Sequence, residues 1–213
     1  MDQVKEGVVK FEKRHTFSRS IENKNIIELN EWRRILKQQG LIGQNSRKYN
    51  GVGYGNLSKR LEPYEAPVYN RRFLITGTQT GYLEYLTEEH YSIVLKYHPE
   101  KNLVISEGPI EASSESMTHG TIYDISTDYR YVFHVHSSDL WRDYKEIDLP
   151  NTLECVKYGT PEMAKEVRRL FKNSDVKKKK IFAMLGHEDG IISFGKTAEE
   201  AGEVIIDYLS RTS

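Results

Sequence analysis

At 213 residues, 38% hydrophobic and 11% aromatic, the chain has the material for one domain with a substantial core and is short for two. Lysine plus arginine and aspartate plus glutamate both number 31, so no net field draws the chain to nucleic acid or an acidic membrane. No apolar run approaches the roughly 18 residues of a membrane span, and Cys155, the only cysteine, rules out an intrachain disulfide and a cysteine-rich zinc cluster. The opening MDQVKEGVVKFEKRHTF lacks the order of a secretory signal, and a cytoplasmic setting follows by default. Any metal must be held by histidines and carboxylates.

Residues 1–25 are charged and weakly patterned, an N-terminal arm with a short strand around Val8 to Phe11. From Asn25 to Gln39, Ile26, Ile27, Trp32, Ile35 and Leu36 recur at helical spacing, and Gly40 is the stop. The glycines of KYNGVGYGNLSKRL suggest a strand entering and leaving a tight turn. RFLIT (72–76) reads as a buried strand followed by the turn-like GTQTG. Residues 91–97 and 102–106 form a hairpin around His98 to Lys101. A helix is expected from Ser113 to Ile125, capped by Ser113 or Ser114, with Met117, Ile122 and Ile125 facing the core. Tyr131 to His136 is a strand of alternating character. Thr160 caps a helix that has Pro161 in its first turn and runs to about Phe171. Ile181 to Leu185 and Ile191 to Phe194 are strands separated by GHEDG, and Thr197 caps a last helix. This irregular alternation predicts a layered α/β domain with a mixed or largely antiparallel sheet, the whole chain being one domain. Neither GxGxxG in context nor a phosphate loop with GK[ST] is present. The run Lys177 to Lys180 precedes a strand and reads as a solvated edge.

Chemistry concentrates at the histidines. Side chains two apart on a strand share a face, so FHVHS presents His134 and His136 side by side, with Val135 on the packed side. A pair of that kind begins a divalent-metal site, which catalytic zinc completes with one further ligand and an open position. Two surface or core histidines would give the same pattern. His187, at a break marked by Gly186 and Gly190, is the candidate third ligand. His15, His90 and His98 lie in polar stretches and read as solvated. His119 lies four residues after Glu115, so the two are helical neighbours; His119 is either a fourth ligand or, preferably, a hydrogen-bonding partner behind the ligands.

The sequence ASSE brings backbone N–H groups, two hydroxyls and the Glu115 carboxylate to a helix start, where anions bind well. An ordinary capped helix with an acidic first turn has the same sequence. GYGNLS and GTQTG are turns that could equally cradle a phosphate.

Taken together and in order, these pieces resemble the class II aldolase/adducin family. The matching series is GNLS (55–58), LIT then TG (74–76, 80–81), SSE (113–115) with His119, HVHS (134–137), YGTPEMA (158–164), His187 and FGKTAEEA (194–201). It spans Ile26 to the C-terminus. Each motif is short, but seven in one order are hard to attribute to coincidence.

The resemblance implies a three-layer α/β/α fold around a mostly antiparallel sheet. It also implies a homo-oligomer, usually a tetramer, with active sites at subunit boundaries. On that pattern His134, His136 and His187 bind one divalent cation, zinc first, with manganese, iron or cobalt as substitutes. Glu115 is the catalytic acid/base, and Gly55, Asn56, Thr80, Gly81, Ser113 and Ser114 surround a substrate phosphate. The implied reaction is carbon–carbon cleavage of a phosphorylated ketose through an enediolate whose charge the cation offsets. Epimerisation of a sugar phosphate, dehydration or decarboxylation could use the same apparatus. Adducin-type heads are non-catalytic scaffolds that lack the ligands retained here.

Three departures stand out. Ala112 occupies a position commonly proline, and Glu188 and Asp189 intervene between His187 and Gly190. The stretch after HVHS is short and reads SDLWRDY. The match assigns no counterpart to the tyrosine that family aldolases bring from a neighbouring subunit; Tyr144, Tyr158 and Tyr208 are available for it.

Overall fold

The structure is a computed structural model and describes residues 11–18 and 21–212. The first half of the chain forms β1 (Glu12–Phe17), α1 (Ile27–Gln38), β2 (Gly43–Gln44), β3 (Gly53–Tyr54), β4 (Asn56–Arg60) and β5 (Phe73–Thr76). The hairpin β6 (Tyr91–His98) and β7 (Leu103–Gly108) follows, then α2 (Ser116–Tyr123), β8 (Tyr131–His136) and α3 (Ser138–Arg142). The remainder is α4 (Pro161–Asn173), α5 (Val176–Lys179), β9 (Ile181–Ala183), β10 (Gly190–Gly195) and α6 (Ala198–Leu209). An eight-stranded sheet has the order β1-β7-β6-β5-β4-β8-β10-β9. Among the described residues β1 with β7 is its one parallel pair; every other neighbouring pair is antiparallel.

Both faces of the sheet are buried along its order from β5 to β9, whereas the edge strand β1 is largely exposed. Leu57, Phe133, Val135 and Ile191 join one apolar cluster with Leu29 and Leu36 of α1 and Ile205 of α6. Phe73, Ile75, Val132 and Ile192 join the other with Met117 and Ile122 of α2 and Val167 of α4. That is the α/β/α layering the resemblance implies. Antiparallel sheets often leave one face to water; this one does not, so β8 is buried at all six positions rather than alternately.

Local chemistry sets the ends of the helices. At the end of α1, Gly40 takes φ +72°, its N–H donates to Lys37 O (2.9 Å), and Leu41 N–H donates to Leu36 O (3.0 Å). This is a Schellman closure, which glycine permits at no steric cost. The Thr160 hydroxyl accepts from Met163 N–H and that of Thr197 from Glu200 N–H, as expected of N-caps.

Several expectations need correction. The helix predicted from Ser113 begins at Ser116, because Ser113 to Glu115 form a turn in which the Ser113 hydroxyl accepts Glu115 N–H at 3.3 Å. Neither serine caps α2, and all eight of its residues are buried, so it has no solvent face. Of the lysine run, which forms most of α5, Lys177 and Lys178 are exposed as expected, but Lys179 pairs with Asp148 (2.7 Å) and Asp175 (2.9 Å) and Lys180 with Glu200 (2.8 Å). His15, His90 and His98 are half-buried rather than solvated; His15 Nδ1 meets Ser106 Oγ and His90 Nδ1 accepts Thr87 N–H. Of the arm strand expected around Val8 to Phe11, residues 8–10 lie outside the described residues. No described helix is long and apolar enough to cross a membrane.

The layer of α1 and α6 depends on a glycine. A Cβ on Gly202 would lie 2.1 Å from Trp32 Cε3. Alanine would gain about 1 kcal/mol of helix propensity, against roughly 1–3 kcal/mol for overpacking. At that separation the clash dominates, and Gly202→Ala should lose about 1–2 kcal/mol in urea unfolding. A variant as stable as wild type would show that the helices do not meet through this contact.

Candidate active site

His134 and His136 leave β8 on the face covered by α2, because Val132 on the same side belongs to the cluster that includes α2, while Phe133 and Val135 belong to the other. His187 arrives on the turn between β9 and β10. That turn is closed by His187 N–H to Met184 O (2.9 Å), Gly190 N–H to His187 O (2.9 Å) and Met184 N–H to Gly190 O (2.8 Å). Glycine is required beside it: a Cβ on Gly186 would stand 1.8 Å from Val156 O.

The three rings meet. Their centroids lie 4.9 Å apart in every pair, and one nitrogen from each falls within 4.8 Å of the others. His134 Nε2 and His136 Nε2 are 3.1 Å apart. Two nitrogens each 2.0–2.1 Å from a tetrahedral cation would be about 3.3–3.4 Å apart, so the pair fits one ion with little adjustment. His134 Nδ1 lies 3.1 Å from Ile191 O; donating there keeps the proton off Nε2 and turns its lone pair inward. Burial, with the other histidines close by, holds His134 and His136 well below the ordinary imidazole pKa, so both are neutral imidazoles at physiological pH. Glu115 is buried and its Oε1 lies 3.5 Å from His187 Nδ1.

His119 is not among the grouped nitrogens. Its Nδ1 meets Ser58 Oγ at 2.7 Å, Ser58 Oγ meets Tyr123 OH at 2.6 Å, and burial pushes its pKa down to about 3. Its side-chain partner is therefore Ser58 of the GNLS motif, while its backbone N–H donates to Glu115 O (3.1 Å).

The candidate phosphate residues sit on three adjoining segments. Gly55, with φ +81°, and Asn56 open β4; Thr80 and Gly81 lie in a 3-10 turn; Ser113 and Ser114 form the turn before α2. A Cβ on Gly81 would come within 2.5 Å of Gly43 O and 2.7 Å of Tyr54 N, so that turn packs directly on the β2–β3 ladder. Gly77 bridges to Ala112, and Thr78 N–H donates to Glu111 O (2.9 Å), which brings the turn beside the serines. Asn56 Oδ1 is buried without a hydrogen-bond partner among the described residues.

Sequence reasoning missed the supports. Arg33 of α1 is buried, and its guanidinium donates to the carbonyls of Thr80 (3.1 Å), Leu83 (2.6 Å) and Glu84 (3.1 Å), pinning the Thr80–Gly81 turn to the helix. Asp189 accepts from Tyr49 OH (2.5 Å), Ser138 Oγ (2.7 Å) and Lys48 Nζ (3.2 Å), whereas Glu188 is exposed. Tyr49 in turn meets His136 edge-on at 4.6 Å, Tyr54 flanks the same ring at 5.3 Å, and Tyr158 stacks on His187 at 4.2 Å. Tyr144 and Tyr208 pack in the apolar cluster on the opposite face. Strand spacing could have placed the histidines, but no local pattern announces a carboxylate that ties residues 48, 49 and 138 together.

With this geometry in hand, the family is plain: the chain matches the Class II Aldolase and Adducin N-terminal domain over residues 44–208 and belongs to that family. Its fold is similar to that of L-fuculose-1-phosphate aldolase from Thermus thermophilus (TM-score 0.61, 18% identity, 89% of this chain and 91% of that one). It is also similar to a sugar-phosphate aldolase from Thermotoga maritima (0.57, 18%, 88% and 91%). A third likeness is to the N-terminal class II aldolase domain of a conserved protein from Thermoplasma acidophilum (0.56, 15%, 91% and 94%). Identities this low establish the fold alone. No curated protein matches the chain by sequence.

The Asp189 network makes a stability prediction. Asp189→Ala strips three donors of their acceptor and should cost about 2 kcal/mol in urea unfolding. Asp189→Asn keeps an acceptor for the hydroxyls and should cost less than about 1 kcal/mol. Equal stability of alanine variant and wild type would contradict the clamp.

Proposed function

We propose that this chain is a metal-dependent carbon–carbon lyase, an aldolase acting on a phosphorylated ketose. The reading rests above all on three imidazole nitrogens within 4.8 Å of one another with the Glu115 carboxylate 3.5 Å from one of the rings. His134, His136 and His187 would hold one divalent cation, zinc before manganese, iron or cobalt, since the donor set is all imidazole. When bound, such an ion supplies Lewis acidity at a substrate carbonyl and the hydroxyl next to it.

The chain's own groups do the rest. Three neutral imidazoles add no negative charge, so they preserve the positive potential that an anionic fragment needs. When the carbon–carbon bond breaks, the hydroxyl on the departing carbon gives up its proton to solvent as that carbon becomes the aldehyde, the bond's electron pair stays on the ketose fragment, and Glu115 delivers a proton to the carbon that holds the pair. Gly55, Asn56, Thr80, Gly81, Ser113 and Ser114 would surround the phosphate. They would anchor it through backbone N–H and hydroxyl groups and fix its distance from the reacting carbon. Retention of all three histidines with Glu115 favours catalysis over a scaffold role. The family resemblance further supports a homotetramer with sites at subunit boundaries.

The same groups would serve an epimerase, dehydratase or decarboxylase, so the substrate decides. A panel of phosphorylated ketoses, assayed for aldehyde release with zinc, manganese or cobalt added, should yield one active member. Failure of every ketose with every metal would overturn the aldolase reading. On that substrate Glu115→Gln should keep the fold and bound metal but turn over roughly 10²–10⁴-fold more slowly. Near-wild-type rates would remove Glu115 from its role.

A further inference from the structure

The strands that carry the histidines have a second end, and it is strongly basic. In the ladders of β8, His134 stands opposite Asn56 and His136 opposite Gly190, whereas Tyr131 stands opposite Lys59 and Gly195. Five residues of strand separate Tyr131 from His136, about 17 Å at ordinary rise. At the Tyr131 end, Lys59 and Arg60 close β4, Arg130 leads into β8, and Lys196 joins β10 to α6. These four cations border one cavity of about 280 Å³, which Tyr64, Tyr131 and Thr197 complete. No carboxylate of the described residues lines it, although Glu28 accepts from both Lys59 Nζ and Tyr131 OH beside it.

The partners of these cations show what is missing. Lys59 is engaged by Glu28 (2.5 Å), but Arg60, Arg130 and Lys196 form no ion pair with any described residue. The nearby Glu200 is already taken by the Lys180 amine (2.8 Å) and Lys196 N–H (3.0 Å). Arg60 is the strongest sign. It is only 1% exposed, its Nη2 donates to Tyr64 O, and its Nε and Nη1 are buried without a partner. Leaving charged donors buried and unmatched is costly, and an oxyanion is the group that matches a guanidinium best. Burial, with Arg71 close by, works against the charge of Arg60, as expected where a counter-ion is lacking. The start of α6 at Thr197 carries Glu199 and Glu200 in its first turn, so the positive charge at this end comes from the side chains of Arg60, Arg130 and Lys196.

We infer that this cavity is a second anion site, built for a small organic phosphate and separate from the metal centre. The phosphate would face Arg130 and Lys196, and would reach the buried Nε and Nη1 of Arg60 only as the side chains over them shift. The organic part would lie against Tyr64, over whose ring Arg130 already stacks at 3.3 Å, and against Tyr131. The volume, greater than a bare phosphate fills, fits a ligand with such a part. This inference stands whether or not the chain is an aldolase.

Phenyl phosphate and inorganic phosphate, titrated calorimetrically into the purified chain, test it together with lysine acetylation read peptide by peptide. Phenyl phosphate should bind more tightly than inorganic phosphate and shield Lys196 while leaving the exposed Lys177 reactive. Lys196→Gln, a change at an exposed residue that leaves the fold intact, should weaken binding about tenfold. Absence of binding overturns the site. Binding that leaves Lys196 labelling and the variant's affinity unchanged places the phosphate elsewhere, the metal centre included, and overturns it equally. Equal affinity for the two phosphates would overturn the organic class of ligand.

Discussion

The register of β8 between β4 and β10 is the constraint on which the centre depends. It sets Ile192 and Asn56 opposite His134, and Gly190 opposite His136. It also sets Ile191, one step along β10, so that its carbonyl meets His134 Nδ1. A slip of one residue would turn both imidazoles to the opposite face, into the packing of Leu57, Phe133 and Val135. Because both faces of the sheet are buried at β8, that slip is strongly opposed. Apolar packing on one side of β8 thereby aims the histidines on the other, and the turn from β9 to β10 brings His187 to them.

Aromatic neighbours and a buried carboxylate hold the imidazoles of His136 and His187 in place. Tyr158 covers His187, while Tyr49 and Tyr54 cover His136. Tyr49, Asn50 and Gly51 take φ of 51°, 56° and 72° in succession, a backbone path that L-residues resist. Asp189 compensates by accepting the Tyr49 hydroxyl and the Lys48 amine, and burial beside that carboxylate keeps the phenol protonated as a donor. Trp141 Nε1, from the unusual SDLWRDY stretch, donates to Met184 O (3.0 Å) and so ties α3 to the same turn. Two of the departures from the family pattern, Asp189 and the SDLWRDY stretch, therefore join in one support for His136 and His187, in which Ala112 and the exposed Glu188 take no part.

Much of this was legible in the sequence where physics is local. Strand period places His134 and His136 on one face, the hydroxyls of Thr160 and Thr197 start helices, and Gly40 ends one. Legibility failed where the determinants are distant. Nothing in ASSESM shows that α2 is enclosed on all sides, because enclosure comes from β6, α4 and the sheet rather than from its own periodicity. Its start was misplaced by three residues because the Ser113 hydroxyl bonds Glu115 N–H inside a turn instead of capping the helix. Arg33 reads as an exposed helical arginine, and only the carbonyls of residues 80, 83 and 84 reveal why it is buried. Asp189 looks like loop decoration until Lys48, Tyr49 and Ser138 converge on it. The tyrosines beside the centre, 49 and 54 from one turn and 158 from another, were likewise separated by too much chain to be grouped in advance.

Three imidazoles from two stretches of chain would form one cation site. Elemental analysis of protein purified without a histidine tag, with His187→Ala alongside, tests it most directly. Close to one divalent ion per chain is expected in the wild type, with a large loss of metal in the variant while its secondary structure is unchanged. A wild-type protein carrying only traces of divalent metal, even after incubation with zinc, manganese and cobalt, would contradict it.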